Sequence, residues 1–237
     1  MIILLPPSEG KAPGGLPRTA WNPSRGPGGR ALGPMRAQVA ASLARAGGGS
    51  QALLGVKGEA LARAKESNRS LLGSPTLPAW QRYTGVVWDH LDIPSMTAAA
   101  RTRSPASILV PSGLMGLVRA DEPVPDYKLK MGASLPPMGR LSSWWRDAVT
   151  EELLRAAGDD EIVDLLPQEH RGAFDWSLVP NAVRIDLVAR RGGTVGGHNA
   201  KAAKGLLARH LLTVRAGTIE KKTAGFVHPD YSARVSR

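Results

Sequence analysis

The chain of 237 residues contains no cysteine, which excludes disulfide bonds and thiolate metal sites. It also lacks any apolar run near the ~20 residues that a membrane helix needs. The apolar start at residues 1–5 is too short for a signal peptide and is soon broken by proline. We therefore expect a cytoplasmic protein that has no membrane partner.

Acidic residues are scarce relative to basic ones, with 20 Asp and Glu against 31 Lys and Arg. The resulting net charge of +11 attracts polyanions, above all nucleic acid. A solvated, arginine-rich surface, of the kind found throughout a basic proteome, is the alternative explanation of the same charge.

Histidine pairs with metal-binding spacing are missing as well. The sequence has no His-x-x-x-His and no His-Glu-x-x-His, although it holds five histidines: His90, His170, His198, His210 and His228. Without cysteine or such pairs, direct iron storage has no ligand set. We expect no metal site and no cofactor.

What the chain does have is the pattern of one α/β domain. Apolar residues make up 42% of it, which is typical of a globular protein with a sizeable core. Predicted strands at residues 108–110, 161–166 and 182–188 alternate with helices, so the predicted fold is a single compact domain over residues 1–237, with a mixed sheet flanked by helices. Residues 12–34, rich in Gly, Pro and Arg, are predicted to be a mobile loop ahead of a helix at 35–46.

Two predicted strands break at Pro-Ser with glycine close behind. The first runs into Ser8-Glu9-Gly10-Lys11 and the second into Ser112-Gly113. Loops at strand ends are common places for binding and catalytic groups, so we expect these two ends to be neighbours that line one site. Two ordinary strand exits are the alternative. Neither serine lies in Gly-x-Ser-x-Gly, whereas Lys11 with Glu9, or Lys201 with Glu169, would supply an amine nucleophile or base beside an acid.

Residues 50–67 resemble a helix-hairpin-helix element, with a Gly-Val-x-Gly turn between apolar residues and an alanine-rich helix. Exposed amides at such a turn hold phosphates, which predicts contacts to DNA from Lys57 and Gly58. A plain connection between two helices fits the same residues.

A helix is predicted over residues 198–212, after glycine-rich turns at 192–193 and 196–197. Its apolar face carries leucines, and its opposite face carries Lys201, Lys204 and Arg209 with Gly205 and Ala208 between them. Small residues between cations would let a flat anion approach the helix closely. A solvated lysine face is the alternative.

Several blocks, in order, carry a resemblance to a known family. They are Leu4-Leu5-Pro6-Pro7-Ser8-Glu9-Gly10-Lys11, Tyr83-Thr84-Gly85, Ser112-Gly113-Leu114-Met115-Gly116-Leu117, Pro125-Asp126-Tyr127-Lys128-Leu129-Lys130-Met131-Gly132, Trp144-Trp145, Glu169 and Lys201-Ala202-Ala203-Lys204-Gly205. Together they make the chain resemble the YaaA family of peroxide stress proteins.

The resemblance implies a compact α/β domain with a helix-hairpin-helix-like element and a basic cleft. It also implies duplex DNA binding and a role in limiting free iron and oxidative DNA damage. One segment departs from the family pattern: Asn-Leu-Ala-Ser-x-Glu-Tyr is here Asp164-Leu165-Leu166-Pro167-Gln168-Glu169-His170. The loss of a serine and a tyrosine puts the ancestral activity in doubt and fits a paralogue with a narrower substrate.

Two functions follow as hypotheses. The first is a DNA-binding stress protein, with Lys57 and Gly58 at the hairpin and a cleft lined by Lys11, Lys128, Lys201, Lys204 and Arg209. The second is an enzyme that acts on a nucleobase, a nucleoside or a related small anion, for example by base excision or in specialised metabolism. Its pocket would hold Ser8, Lys11, Ser112, Tyr127, Glu169 and Lys201, with Glu169 or Lys201 as the acid/base group.

Overall fold

The computed structural model describes residues 1–190, 197–214 and 217–236. Its centre is a six-stranded mixed sheet in the order β13-β12-β11-β1-β6-β7. The strands of this sheet are β1 (Ile2–Leu4), β6 (Ile108–Ser112), β7 (Gly116–Arg119), β11 (Ile162–Asp164), β12 (Ala182–Ala189) and β13 (Tyr231–Ser236). Neighbouring pairs among β12, β11, β1 and β6 are parallel, while β7 and β13 are antiparallel edge strands. The predicted single compact α/β domain with a mixed sheet flanked by helices is confirmed.

The three central strands are short and apolar because both faces of the sheet are covered. Every residue of β1, β6 and β11 is buried, which is the pattern of parallel strands with helices on both sides. The helices are α1 (Gly29–Arg45), α2 (Gln51–Leu54), α3 (Gly58–Arg69), α4 (Ala79–Arg82), α5 (Val86–Leu91), α6 (Ala98–Arg103), α7 (Leu141–Ala157), α8 (Gln168–Arg171), α9 (Gly197–Thr213) and α10 (Ile219–Ala224). Within the described ranges, no helix is both long and apolar enough to cross a bilayer.

Three small sheets accompany the central one. They pair β2 with β5, β9 with β10, and β3 with β4 and β8. Their strands are β2 (Gly10–Lys11), β3 (Leu16–Ala20), β4 (Pro75–Pro78), β5 (Tyr83–Thr84), β8 (Pro123–Pro125), β9 (Ser134–Leu135) and β10 (Gly139–Arg140). The β2–β5 pair matters most for function, because it fixes the loop that follows β1.

The prediction that residues 12–34 form one loop is wrong. This segment contains β3 and the first turns of α1, which includes Pro34. Glycines there serve close packing: a Cβ built on Gly29 would lie 2.1 Å from the Ser24 carbonyl oxygen, and one on Gly33 would lie 2.8 Å from Ser24 Oγ. The glycine and proline content predicted that no helix would form here, whereas close contact with Ser24 requires small residues in this helix.

Residues 50–67 do form two helices joined by a tight turn. Ser50 caps the single-turn α2 by accepting a hydrogen bond from Leu53 N at 3.2 Å. Gly55 then ends α2 in the left-handed conformation, with φ 66°, and α3 begins at Gly58. The element order matches the prediction, and its assignment as a DNA-binding helix-hairpin-helix stays a prediction.

Candidate functional site

The carboxyl ends of three adjacent parallel strands meet at one edge of the sheet. Leu4 of β1 pairs with Leu109 of β6 on one side and with Asp164 of β11 on the other. The predicted adjacency of the two Pro-Ser strand ends is therefore confirmed. The segment after β1 carries Ser8 to Lys11, and the segment after β11 carries Glu169. Ser112 is the last residue of β6. Such edges of open α/β sheets are where ligands commonly bind.

Lys11 lies at the centre of this edge because β2 pairs with β5, which sets Lys11 opposite Tyr83. Its Nζ is 4.2 Å from the centroid of the Tyr127 ring and 5.6 Å from that of the Tyr83 ring. The amine donates a hydrogen bond to the Ser8 carbonyl oxygen at 3.2 Å. Lys11 makes no ion pair with a carboxylate of the described residues.

The surroundings of Lys11 disfavour its charged form. Burial, helped by the positive charge of Lys128, lowers the pKa of Lys11 to about 7, although Asp126 opposes the shift. Near neutral pH, an appreciable share of Lys11 side chains is therefore uncharged and keeps a nucleophilic lone pair.

A buried chain of three hydroxyl groups supports the rings that face Lys11. Tyr127 OH lies 2.6 Å from Ser112 Oγ and 3.1 Å from Tyr83 OH, and Met115 N donates to Ser112 Oγ at 3.0 Å. Burial raises the pKa of both tyrosines, so these hydroxyls stay protonated at neutral pH. Their hydrogen bonds to one another fix the two tyrosine rings against which Lys11 lies.

The segment from Tyr127 to Met131, hereafter the lysine loop, is fixed in place by contacts at Lys128 and at Lys130. Asn68 of α3 is fully buried and exchanges two hydrogen bonds with the Lys128 backbone, at 2.9 and 3.0 Å. Gly113 lets the backbone of Lys130 pack closely against it, since a Cβ on Gly113 would lie 2.8 Å from the Lys130 carbonyl oxygen. The motif Ser112-Gly113 thus seats the lysine loop against β6.

Glu9 bridges the two charged lysines of the lysine loop. Its carboxylate lies 2.8 Å from Lys130 Nζ and 3.5 Å from Lys128 Nζ. The hydrogen bond from Lys130 lowers the pKa of Glu9, which therefore stays ionised at neutral pH. The carboxylate of Glu9 thus forms its ion pairs with Lys128 and Lys130 rather than with Lys11.

Segment 164–170, which departs from the family pattern, forms a further side of the site, beside the lysine loop. Asp164 is buried, accepts a hydrogen bond from Leu166 N at 2.8 Å and pairs with Arg171. A Cβ built on Gly132 would be 3.3 Å from Glu169 Oε1, so the glycine lets this carboxylate lie against the lysine loop. Burial lowers the pKa of His170, which keeps its imidazole neutral at pH 7.

Two cavities share part of their lining at Lys11. The inner cavity, of about 50 Å³, is lined by Pro7, Ser8, Glu9, Lys11, Tyr127, Lys128, Leu129, Lys130, Met131, Glu169 and His170. The second, hereafter the α3 groove, measures about 270 Å³ and runs along α3 past Val56, Ala60, Arg63 and Ser67. Both cavities share Glu9, Lys11, Tyr127 and Lys128.

The turn between α2 and α3 adjoins the lysine loop. A Cβ built on Gly55 would lie 4.0 Å from Lys130 Nζ. Lys57 and Gly58 are exposed on the same turn, and Lys57 does not cap α3 with its side chain. The turn amides, Lys57 and the lysine loop therefore lie on neighbouring surfaces.

The three cations predicted on α9 have separate roles. Lys204 donates a hydrogen bond to the Leu165 carbonyl oxygen, and burial lowers the pKa of Lys204 to about 8. Arg209 donates to the carbonyl oxygens of Leu91 and Asp92, at 3.0 and 2.6 Å, where α5 ends. Lys201 is exposed and is absent from the residues that line the two cavities.

The prediction that small residues on α9 admit an anion is wrong at Gly205. A Cβ built there would lie 2.3 Å from the Val87 carbonyl oxygen, so α5 occupies this face. The small residue brings two helix backbones together. The glycine-rich turns predicted before α9 lie largely outside the described residues.

Of the predicted site residues, the structure brings together Ser8, Lys11, Ser112, Tyr127, Lys128 and Glu169. Glu9, predicted as the acid beside Lys11, pairs instead with Lys128 and Lys130. Three further residues of the site were not predicted as site residues: Tyr83, Lys130 and His170. Tyr83 and Lys130 stand in motifs that were recognised as blocks, but only the β2–β5 pairing and the lysine loop show which side chains point inward. Among the described residues, no group of three His, Asp or Glu side chains is arranged to hold a metal ion.

Comparison with known proteins assigns the chain to a family. The profile of the family described as "Peroxide stress protein YaaA" matches residues 1–234. A UPF0246 protein of Streptomyces coelicolor is 35% identical over 219 residues, which cover 90% of this chain and 83% of that protein. A UPF0246 protein of Corynebacterium efficiens is 34% identical over 236 residues, covering 96% of this chain and 90% of that protein. The chain therefore belongs to the YaaA family of peroxide stress proteins.

Proposed function

We propose that this chain binds duplex DNA through the turn between α2 and α3 together with the lysine loop, in the service of the peroxide stress response. The observation that supports the proposal is the position of Gly55, where a Cβ would lie 4.0 Å from Lys130 Nζ, so that one phosphate backbone could contact both the turn amides and the lysine. The net charge of +11 provides the long-range attraction. Base edges are not needed for this kind of contact, so binding is nearly independent of sequence.

The test is the salt dependence of duplex binding, measured by fluorescence anisotropy between about 50 and 200 mM salt. Each phosphate contact adds about 0.9 to the slope of log K against log salt, so Lys57→Gln is expected to lower that slope by about 0.9. Lys130→Gln is expected to do the same. Lys221→Gln, on the exposed surface of α10, is the matched control and leaves the slope unchanged.

Binding that ignores salt, or equal slopes for all three variants, would remove the turn and the lysine loop from the DNA interface. Comparing the original duplex with one of scrambled sequence separates recognition of the base sequence from contact with the DNA backbone. Equal affinities for the two duplexes are expected.

We also propose, from the family resemblance, that the chain limits free iron and oxidative DNA damage in cells exposed to peroxide. The described residues offer no cluster of metal ligands, so this effect is assigned to events at the DNA. Deleting the gene is expected to raise strand breaks under peroxide, and restoring a Lys57→Gln variant is expected to leave them raised. Full rescue by that variant would separate the cellular role from the DNA surface.

A second candidate function is an enzyme that acts on a nucleobase, a nucleoside or a related small anion. The observation in its favour is the position of Lys11, whose pKa is lowered by burial, in a cavity that Glu169 and His170 also line. A DNA-phosphate contact alone needs no neutral amine. Calorimetric titration with nucleosides and nucleotides tests it, with Lys11→Met expected to lose any heat that the unaltered protein shows.

A further inference from the structure

We propose that the Lys11 amine is a covalent nucleophile that forms an imine with the aldehyde carbon of a phosphate-bearing, open-chain pentose. The inference deepens the proposed function, because the phosphate would be held by the same lysine loop that contacts DNA. Two sources share this chemistry: an abasic deoxyribose within duplex DNA and a free pentose phosphate.

The geometry gives Lys11 a role unlike that of the two lysines beside it. Lys128 and Lys130 both form ion pairs with Glu9, at 3.5 and 2.8 Å, and are the groups proposed to hold the phosphate. Lys11 instead faces the rings of Tyr127 and Tyr83 and has one hydrogen-bond acceptor, the Ser8 carbonyl oxygen. An amine in an apolar, cation-rich setting is the arrangement that activates lysine toward carbonyl carbon.

The position of Lys11 also suits a ligand with two parts. Lys11 lines both the inner cavity and the α3 groove, and the α3 groove runs toward the turn between α2 and α3. A sugar aldehyde in the inner cavity would have its phosphate beside Lys128 or Lys130. In an abasic duplex, the flanking phosphates would continue along the α3 groove toward Lys57.

The step balances without an oxidant or reductant. The Lys11 lone pair attacks the aldehyde carbon and forms a C–N bond, while the C=O π pair moves to oxygen, which takes a proton. The resulting carbinolamine loses water as the nitrogen lone pair forms C=N. Glu169 lines the inner cavity and is the carboxylate that can carry the proton from nitrogen to the departing oxygen.

The experiment is reductive trapping with the full chain in the presence of borohydride. Three probes are used: a duplex with one abasic aldehyde, the same duplex intact, and free 2-deoxyribose 5-phosphate. We expect a stable adduct with either aldehyde probe or both, none with the intact duplex, and peptide mapping that assigns the adduct to Lys11. Trapping is expected to increase as pH rises through about 7.

Variants sharpen the result. Lys11→Met and Lys11→Arg are expected to lose the adduct. Lys221→Met, which removes an exposed lysine of α10, is expected to keep it. Unaltered yield in Lys11→Met, or adducts spread over surface lysines of the unaltered protein, would overturn the proposal. The peptide map of the unaltered protein decides the matter even if the Lys11 variants fail to fold.

The outcome separates this proposal from the DNA-binding function. A gel shift with intact duplex but no adduct from either aldehyde overturns the imine and leaves DNA binding in place. An adduct from the free sugar phosphate at Lys11, without any binding of duplex, supports the imine and overturns DNA binding. An adduct from the abasic duplex alone assigns the aldehyde to DNA.

Discussion

At the scale of single residues, Lys11 is the group whose environment conflicts most with its ordinary state. An exposed lysine is charged at neutral pH, with a pKa of 10.5, but burial brings the pKa of Lys11 to about 7. The fold holds this amine between Tyr127 and Tyr83 at a cost in stability. Lys130, by contrast, has a carboxylate partner in Glu9.

This cost makes stability depend on pH. Between about pH 7 and pH 10, the unfolded chain binds a proton at Lys11 that the folded chain does not, so the free energy of unfolding rises with pH. The contribution from Lys11 is at most about 1.4 kcal/mol per pH unit in this window. Lys11→Met removes it, so the difference in unfolding free energy between the unaltered protein and the variant should shift in favour of the unaltered protein as pH rises.

The measurement is denaturant unfolding of both proteins at several pH values from 6 to 10. Lys204, whose pKa is lowered to about 8, titrates in the same range but is present in both proteins and cancels in the difference. A difference that stays constant across the window would show that Lys11 is charged in the folded protein.

At the scale of elements, the packing of α9 on α5 decides what the lysine-rich helix can do. Gly205 lets the two backbones touch, and Arg209 donates to the last carbonyl oxygens of α5. Ala208, which lies on the same face as the cations, is buried as well, so only part of the cationic face remains open. The element therefore anchors the segment after β11 through Lys204 and Leu165.

Gly205→Ala is expected to destabilise the protein by about 1–3 kcal/mol, because the new methyl group would meet the Val87 carbonyl oxygen. Gly172→Ala is the matched control: its φ is −63°, and its new Cβ would meet only the Glu169 carbonyl oxygen, at an ordinary 3.9 Å. Chemical denaturation of both variants measures the difference. Equal stabilities would mean that α5 and α9 are not in contact there.

At the scale of the whole molecule, the segment before α1 is tied to the sheet by Arg36. Its guanidinium is fully buried and donates to the carbonyl oxygens of Met115 and Leu117, at 2.9 and 2.8 Å. It also donates to the carbonyl oxygens of Pro23 and Arg25 and lies 3.9 Å from buried Glu122. One side chain thus joins α1, β7 and residues 23–25.

Arg36→Met should cost about 3–5 kcal/mol of unfolding free energy, since it leaves Glu122 buried without its partner. Arg184→Met, which removes an exposed ion pair with Asp186, is expected to cost about 0–1 kcal/mol. Thermal unfolding compares the two. A small loss for Arg36→Met would show that Glu122 is protonated and needs no cation, in line with the burial that raises its pKa.

The α/β class could be predicted from the sequence, because buried parallel strands are apolar throughout. The strand β6 is an example. The strand and the helical turns in residues 12–34 could not be predicted, because β3 forms by pairing with the distant β4, and Gly29 and Gly33 are needed for close contact with Ser24. Long-range packing overrides local propensity in such segments.

The sequence by itself determined the α/β class, the net positive charge and the family, since each follows from residue types and their order along the chain. Only the tertiary structure decided which lysines share a site. It placed Lys11 and Lys128 together, gave Arg209 to the end of α5 and left Lys201 exposed. The physical reason is that charge and pKa depend on neighbours in space, and the pairing of β2 with β5 and the seating of the lysine loop on Gly113 supply those neighbours.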